Sequence, residues 1–523
     1  AIIAKGGLPR WVDGPDLLGG IGEVLDAVII GGGPAGSTAG RLLAQWGHSV
    51  ALLAAPQGSR PSLAECLPPS NRKLFEFLGI GDAIDHAGFF RTTGNTVWWG
   101  SAEQRVGPYP EGWGYQVLRR DFDRLLLELA RDAGTGVRIG KAYGVAGADG
   151  PRIEFQPAGG RPRIPIPAKF ILDCSGRGGV LARLLHLRRH DAESGADPLV
   201  RARPPGRALP DHSRTVALSG VWRSHPGWAL PDQSHTLVEA YDGGWAWSVP
   251  VSPSLRHVAF MIDPGSRAYR SSGKQIGAAY SAEMAKTRAF RGIFRRGTLE
   301  TAPWGRDASV YSSSRYCGPD FLLAGDAGAF IDPLSSFGVK KAMVSAWVGA
   351  VVANTWLRNP AMRQAALQFF EDRERQVYES YRVRSDAWYR NQAVPEDDPD
   401  REVFADASDR ATADPDREAA RRALEDLKAR PSICLRRGAE VRMEQRPGIE
   451  GREIVLRDVL VAPGQAERLD FVESVNLPRL VELAEQYAQV PDVFEAYNRV
   501  STPVPLPSFL KALSILVARG VLR

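Results

Sequence analysis

The apolar run Ala27-Val28-Ile29-Ile30 passes directly into Gly31-Gly32-Gly33-Pro34-Ala35-Gly36 and then into a stretch whose apolar residues recur at helical spacing. No other feature restricts the fold of this chain so strongly. Gly31, Gly33 and Gly36 have G-x-G-x-x-G spacing, and glycines between a strand and a helix N-terminus let a ligand approach the backbone where unpaired N–H groups converge. Such a point suits a pyrophosphate, with Gly31, Gly33, Pro34, Ala35 and Gly36 as candidate contacts. The segment 26–53 therefore reads as strand, glycine turn, helix and second strand, the opening of a βαβ unit. The second strand ends in Leu53-Ala54-Ala55, so the carboxylate that commonly takes the ribose hydroxyls at this place is missing.

At 523 residues the chain is long enough for about three units of roughly 150 residues. Hydrophobic residues at 44% and charged residues at 24% are globular values, which excludes a fibrous or wholly disordered chain. A formal charge of +6 without any Lys/Arg run gives no footprint for nucleic acid. Cys66, Cys174, Cys317 and Cys434 lie far apart with no histidine at ligand spacing, so no metal site is expected and a reducing compartment fits. The longest apolar stretch, 342–356, is short and broken by Ser, Gly and Asn, and the N-terminus has no leader pattern. These features predict a cytoplasmic protein with no membrane span.

Residues 1–25 read as an extension, and 26–392 as the nucleotide-binding core. Within that core FILDCSG and FLLAGDAG are strands ending in turns, and parallel strands separated by helices imply an α/β doubly wound sheet. Between about 190 and 305 short alternating segments such as TVALSGVW and GWAWSVPV predict an inserted antiparallel sheet that walls a substrate pocket. The acid-rich stretch 393–430 reads as a charged linker. Residues 431–523 read as a small α+β domain, a hairpin (ICLRRGAEVRME with REIVLRDVLVAPG) followed by three short helices, resembling a winged-helix module.

Three later segments carry a family resemblance: VLRRDFDRLL, DCSGRGGVLARLL and GDAGAFIDPLSSFGVKKA. With the glycine turn they resemble the flavoprotein monooxygenases and flavin-dependent halogenases that share the p-hydroxybenzoate hydroxylase fold, a glutathione-reductase-type FAD-binding fold. The resemblance implies FAD as cofactor. It also implies that Arg119 contacts it while Phe122 and Asp123 hold the helix, and that Gly325 and Asp326 meet the ribitol chain. The turn from Pro333 through Ser336 to Gly338 and Val339 is then expected against the isoalloxazine ring.

Trp245-Ala246-Trp247-Ser248-Val249-Pro250 resembles the WxWxxP signature of the halogenase branch. Residues two apart on a strand share a face, so Trp245 and Trp247 are expected to form a structural wall that also screens the flavin. The resemblance then breaks. Arg91, in AGFFRTTGNTVWWG, stands where a halogenase carries the lysine that captures hypohalous acid, and Ser335 stands where that family has glutamate. A guanidinium keeps its proton and offers no amine lone pair. Without a halogen carrier, the C4a-hydroperoxyflavin implied by the resemblance is left as the oxidant, which predicts hydroxylation of an indole or phenol type ring. Arg91 is expected to lend positive charge near the flavin, to hold an acidic group of the substrate, or to be a surface or structural residue.

No second Rossmann unit is visible, so a separate flavin reductase is the expected partner. Seven of the thirteen tryptophans fall between Trp98 and Trp247, which suits an aromatic substrate, free or within a peptide or protein. The pattern also resembles the peptidyl-tryptophan hydroxylases of tryptophylquinone maturation. Alternatives are a halogenase using Lys73 or Lys340, a double-bond reductase, and a non-catalytic flavin-bound scaffold. Of Lys340 and Lys341, at the start of a helix, one could face the pocket, but a helix-start lysine pair is more often solvated and that is the expectation. His86, His212 and His225 are the histidines in pocket-like loops, and none is singled out as a base.

Overall fold

A computed structural model describes residues 24–190, 214–389, 417–429 and 435–523, apart from 57, 59–60, 100–103, 111, 148–149, 225–226, 229, 231, 267–268, 271–274 and 463–468. The described residues divide into two compact units, Ala1–Pro360 with Phe370–Gln392, and Ala361–Phe369 with Ala393–Arg523.

In the first unit the apolar run becomes the strand Leu25–Ile30, with Ala27, Val28 and Ile29 fully inaccessible. Continuous apolar runs of this kind belong to strands covered on both faces. It is central among five parallel strands, in the order 136–147, 50–54, 25–30, 168–173 and 321–323. Antiparallel strands complete both edges of this eight-stranded sheet. The helix Pro34–Gln45 follows the glycine turn and packs against the helix Gly338–Arg358. That second helix is buried from Val339 to Thr355, as an all-round apolar pattern requires. The doubly wound α/β arrangement expected from the sequence is the one found.

The second sheet also has eight strands, antiparallel throughout except where 236–241 runs parallel to 94–98. One face carries Leu218, Val258, Phe260 and Ile262 and packs on Ala279, Tyr280 and Ile293 from the helices Ile276–Lys286 and Arg291–Arg296. The opposite face carries Ala217, Ala259, Met261 and Trp245. The sheet is wider than the 190–305 boundary: Gly94–Trp98 and Gln104–Pro108 add two strands from much earlier in the chain. Their few residues alternate too briefly to announce a strand, and pairing with 236–241 supplies what local pattern does not.

In the second unit the helix Arg417–Ala429 corrects the charged-linker reading of 393–430 over its last part, because Ala423 and Leu427 are buried in the core of that unit. Charge count hid an amphipathic helix whose apolar positions are four apart. The hairpin is displaced as well: its strands are Arg442–Glu450 and Glu453–Val461, turning at Gly451 with φ +58°. The first strand contains Pro447, which an edge ribbon tolerates where no ladder N–H is needed. Helices Leu477–Ala484, Val490–Val500 and Leu506–Ala518 close the core around Leu480, Phe509 and Leu513.

Candidate functional site

The glycine turn is shaped by contacts that leave no room for side chains. A Cβ on Gly36 would lie 1.8 Å from the Gly31 carbonyl oxygen, and one on Gly31, at φ +110°, would lie 2.3 Å from that of Cys174. Gly33 differs, since a Cβ there meets only Asp123 and Arg119 at 3.8 and 3.9 Å. Gly33 therefore faces an open groove bordered by the RxxFDxxL helix. The strand ends are tied together by hydrogen bonds from Gly31 N–H to Leu53 O (2.8 Å) and from Cys174 N–H to Ile30 O (2.9 Å). Asp173, in DCSGRGG, accepts from the Ser175 and Leu181 amides at 3.0 and 2.6 Å, so its carboxylate folds its own loop against Gly31.

Phe122, Leu126 and Ala130 bury one side of the helix Arg119–Asp132, which leaves Arg119 and Asp123 beside the glycine turn. Arg119 Nε donates to Asp123 at 2.8 Å and its Nη1 donates to Glu65 at 3.3 Å. Burial opposes the guanidinium charge, but Asp123 and Glu65 more than offset it and the pKa rises above the ordinary arginine value. Burial pushes the Glu65 carboxyl up, against the pull of Arg119. Glu65 was not legible as a site residue; it comes from the four-residue strand Ala64–Leu67, whose sequence carries no motif.

The turn Gly325–Ala327 brings Asp326 to the same place. Gly325, at φ +63°, packs on Ala35 and Ala342, and its N–H donates to Ser345 Oγ at 2.9 Å. Asp326 Oδ1 is buried and accepts no hydrogen bond. The expectation that Lys340 and Lys341 are solvated fails: they are 4% and 2% accessible. Lys341 Nζ donates to the carbonyls of Gly325 (3.0 Å) and Ala329, and lies 3.8 Å from Asp326 Oδ1. The long apolar helix that follows pulls both lysines inside, and backbone carbonyls replace water around Lys341. Lys340 lies with its ammonium 5.3 Å from the Phe337 ring centroid.

After Asp332 the chain makes one 3-10 turn, Pro333–Ser335, capped by Asp332 Oδ1 accepting from the Leu334 N–H at 2.8 Å. Ser336 follows in the left-handed region at φ 56°, and the helix starts at Gly338, where a Cβ would meet nothing within 4 Å. Trp245 and Trp247 share one face of the second sheet, and Leu334 of this turn packs on the same cluster. Trp99, one of the seven tryptophans of the expected aromatic region, completes it together with Trp388 and Tyr389, which sequence reasoning missed. Trp99 Nε1 donates to the Trp388 carbonyl (3.0 Å), and Trp245 Nε1 donates to Tyr389 Oη (3.1 Å).

Arg91 is not drawn into this cluster by any hydrogen bond or ion pair. It is exposed on the strand Phe90–Thr92, with its guanidinium 4.5 Å from the Trp113 ring centroid and Arg72 at 4.4 Å from the same centroid. Lys73 is exposed on the helix Ser70–Phe77. His86 is exposed, its Nδ1 2.7 Å from the Asp82 carbonyl, while His212 and His225 lie outside the described residues. A different histidine is buried: His257 shares the face of Ala259 and Met261, neither ring nitrogen has a partner, and burial lowers its pKa to about 4.

Two long helices, one after the glycine turn and one after the turn 333–337, thus begin with no side-chain cap and no acidic residue in the first turn. Uncapped N-termini offer N–H donors and a positive dipole end to an anion. Together with the room at Gly33 and the Asp326 oxygen that accepts no hydrogen bond, they fit a dinucleotide whose phosphates and polyol chain need donors and an acceptor. The class so defined is an FAD-dependent flavoprotein. Residues 24–348 match the FAD binding domain family, and the chain belongs to it. Curated relatives are named as halogenases. A tryptophan 2-halogenase of Chondromyces crocatus is 28% identical over 360 residues, covering 66% of this chain and 64% of that protein, just under two thirds of its length.

Among solved structures the flavin-dependent halogenase CmlS aligns with a TM-score of 0.68 at 22% identity, covering 96% of each chain. The peptidyl tryptophan dihydroxylase QhpG, described as essential for tryptophylquinone cofactor biogenesis, aligns with a TM-score of 0.59 at 21% identity, covering 95% of this chain and all of that one. At those identities the likeness is one of fold. Among the described residues, no helix is long and apolar enough to cross a membrane.

Proposed function

We propose that the protein is an FAD-dependent monooxygenase that hydroxylates an aromatic ring of indole or phenol type. The observation that carries this reading is the residue at position 91. A halogenase needs an amine that can accept and release a halogen cation; a guanidinium has no such lone pair, and that of Arg91 rests on Trp113. Ser335 in place of glutamate removes the second group of the halogenase pattern.

Gly31, Gly33, Pro34, Ala35 and Gly36 would hold the pyrophosphate of FAD, and Arg119 and Asp326 its polar chain. The turn from Pro333 through Ser336 to Gly338 and Val339 would meet the ring system. Reduced FAD supplies the activation of dioxygen. The work of this chain is to exclude water and to fix the aromatic ring, which Trp245 and Trp247 do as rigid apolar surface. Reducing equivalents come from a separate flavin reductase. The four dispersed cysteines favour the cytoplasm. The substrate is a tryptophan within a peptide or protein, as the name of QhpG suggests, or equally a free aromatic metabolite.

A halogenase reading has two observations in its favour, the buried Lys340 beside the flavin turn and the halogenase names of the relatives. Mass spectrometry separates the two. The full chain is supplied with FAD, a flavin reductase, NADH, oxygen and bromide, and offered free tryptophan or a tryptophan-containing peptide. A product heavier by one or more oxygen atoms is expected, and a bromine isotope pattern would overturn the proposal.

A further inference from the structure

The bond from Trp245 to Tyr389 is one half of a longer connection. Tyr389 Oη accepts from Trp245 Nε1 at 3.1 Å and donates to the Asp332 carboxylate. Asp332 in turn caps the Pro333–Ser335 turn through the Leu334 N–H. Burial, and after it the charge of Asp332, raise the Tyr389 pKa well above that of an ordinary tyrosine, so the phenol keeps its proton at any working pH. The carbonyl of Trp388 is fixed independently by Trp99 Nε1 at 3.0 Å, which holds the end of the helix Arg363–Tyr389 in place.

We propose that Tyr389 is a positioning residue that joins the substrate wall to the flavin turn, setting the indole plane of Trp245 and the conformation of Pro333–Ser335 as one unit. The inference rests on the reading of that turn as the contact with the isoalloxazine ring. Hydrophobic packing alone would let the wall and the turn adjust separately. A donor–acceptor chain through one hydroxyl does not, because leaving either partner unpaired in this buried cluster is costly.

The test uses full-length protein loaded with FAD, in wild-type form and as Tyr389→Phe, Trp245→Phe and the double variant. Two signals are read without substrate or halide: the visible circular dichroism of bound oxidised flavin, and the rate at which photoreduced flavin reoxidises in air-saturated buffer. Tyr389→Phe removes a single oxygen atom, and it is expected to alter the dichroism and to change reoxidation at least about threefold. The double variant is expected to match a single one, since both break the same connection. Unchanged flavin signals in Tyr389→Phe would overturn the proposal, even with a lowered melting temperature, because the bond would then be purely structural. Effects that multiply in the double variant would overturn it too. Should Tyr389→Phe fail to fold, Trp245→Phe decides alone by the same two signals. A halogenated product would sink the hydroxylase reading and leave this comparison intact.

Discussion

The cofactor cradle and the tryptophan wall solve opposite problems. Around Gly31 and Gly36 the backbone comes so close to itself that one methyl group would collide with it, and the cradle works by lacking side chains. The wall is built from the largest side chains available, Trp99, Trp245, Trp247 and Trp388, with Ala217, Ala240 and Ala259 between them. A cradle of this kind recognises phosphates through main-chain donors and tolerates almost no change; a wall of this kind selects by shape and can be recut.

The sharpest way to break that contrast is Gly36→Ala. With a Cβ at 1.8 Å from the Gly31 oxygen, it is expected to abolish FAD retention and to cost more than about 3 kcal/mol, read from flavin absorbance and thermal melting. Retained FAD would mean that the turn can open.

His257 tests the wall from its buried edge. Its folded pKa, about 4, lies below the ordinary 6.5, so the unfolded chain takes up a proton first and stability falls as pH drops from about 6.5 to 4. His257→Leu is expected to remove up to about 3 kcal/mol of that acid-dependent loss, measured as denaturant stability across this window. An unchanged slope would show that other groups carry it.

Arg119→Met sharpens the cradle side. It leaves Glu65 and Asp123 without their cation, and a cost of about 2 kcal/mol is expected at pH 8 with much weaker FAD binding. The Glu65 pKa is raised in the fold, so the protonated carboxyl is favoured at low pH and the advantage is lost as pH rises through the folded value. Without Arg119 that rise is larger, and the variant should recover stability on acidification toward pH 5. A deficit independent of pH would contradict the assignment. Arg91→Lys is the smallest change: within about 0.5 kcal/mol in stability, since position 91 is exposed over Trp113, and without halogenated product, since Ser335 still stands in place of the glutamate.

The same contrast explains what could be read in advance. The cradle is written in local order, with a strand, glycines and a helix within twenty residues, and the later FAD signatures are local as well. The wall is not. Trp245 and Trp247 could be placed on one face from their spacing, whereas Trp99, Trp388 and Tyr389 come from distant segments and meet only through pairing of 94–98 with 236–241 and the docking of a long helix. Lys340 and Lys341 misled because charge argues for solvent, and only the carbonyls of Gly325 and Ala329 make burial of Lys341 tolerable. Arg91 was given two readings from a short alignment, and its stacking on Trp113 depends on a strand edge no local pattern defines.

The wedging of Gly31 against Cys174, and the hold of Ser345 on the Gly325 amide, also fix when the protein can acquire its cofactor. The nucleotide signature leaves the ribosome well ahead of the groove's far side, which comes from a segment some three hundred positions later. Nascent chains that stop short of the helix after the flavin turn carry the fingerprint without its facing wall, so flavin loading waits for that helix.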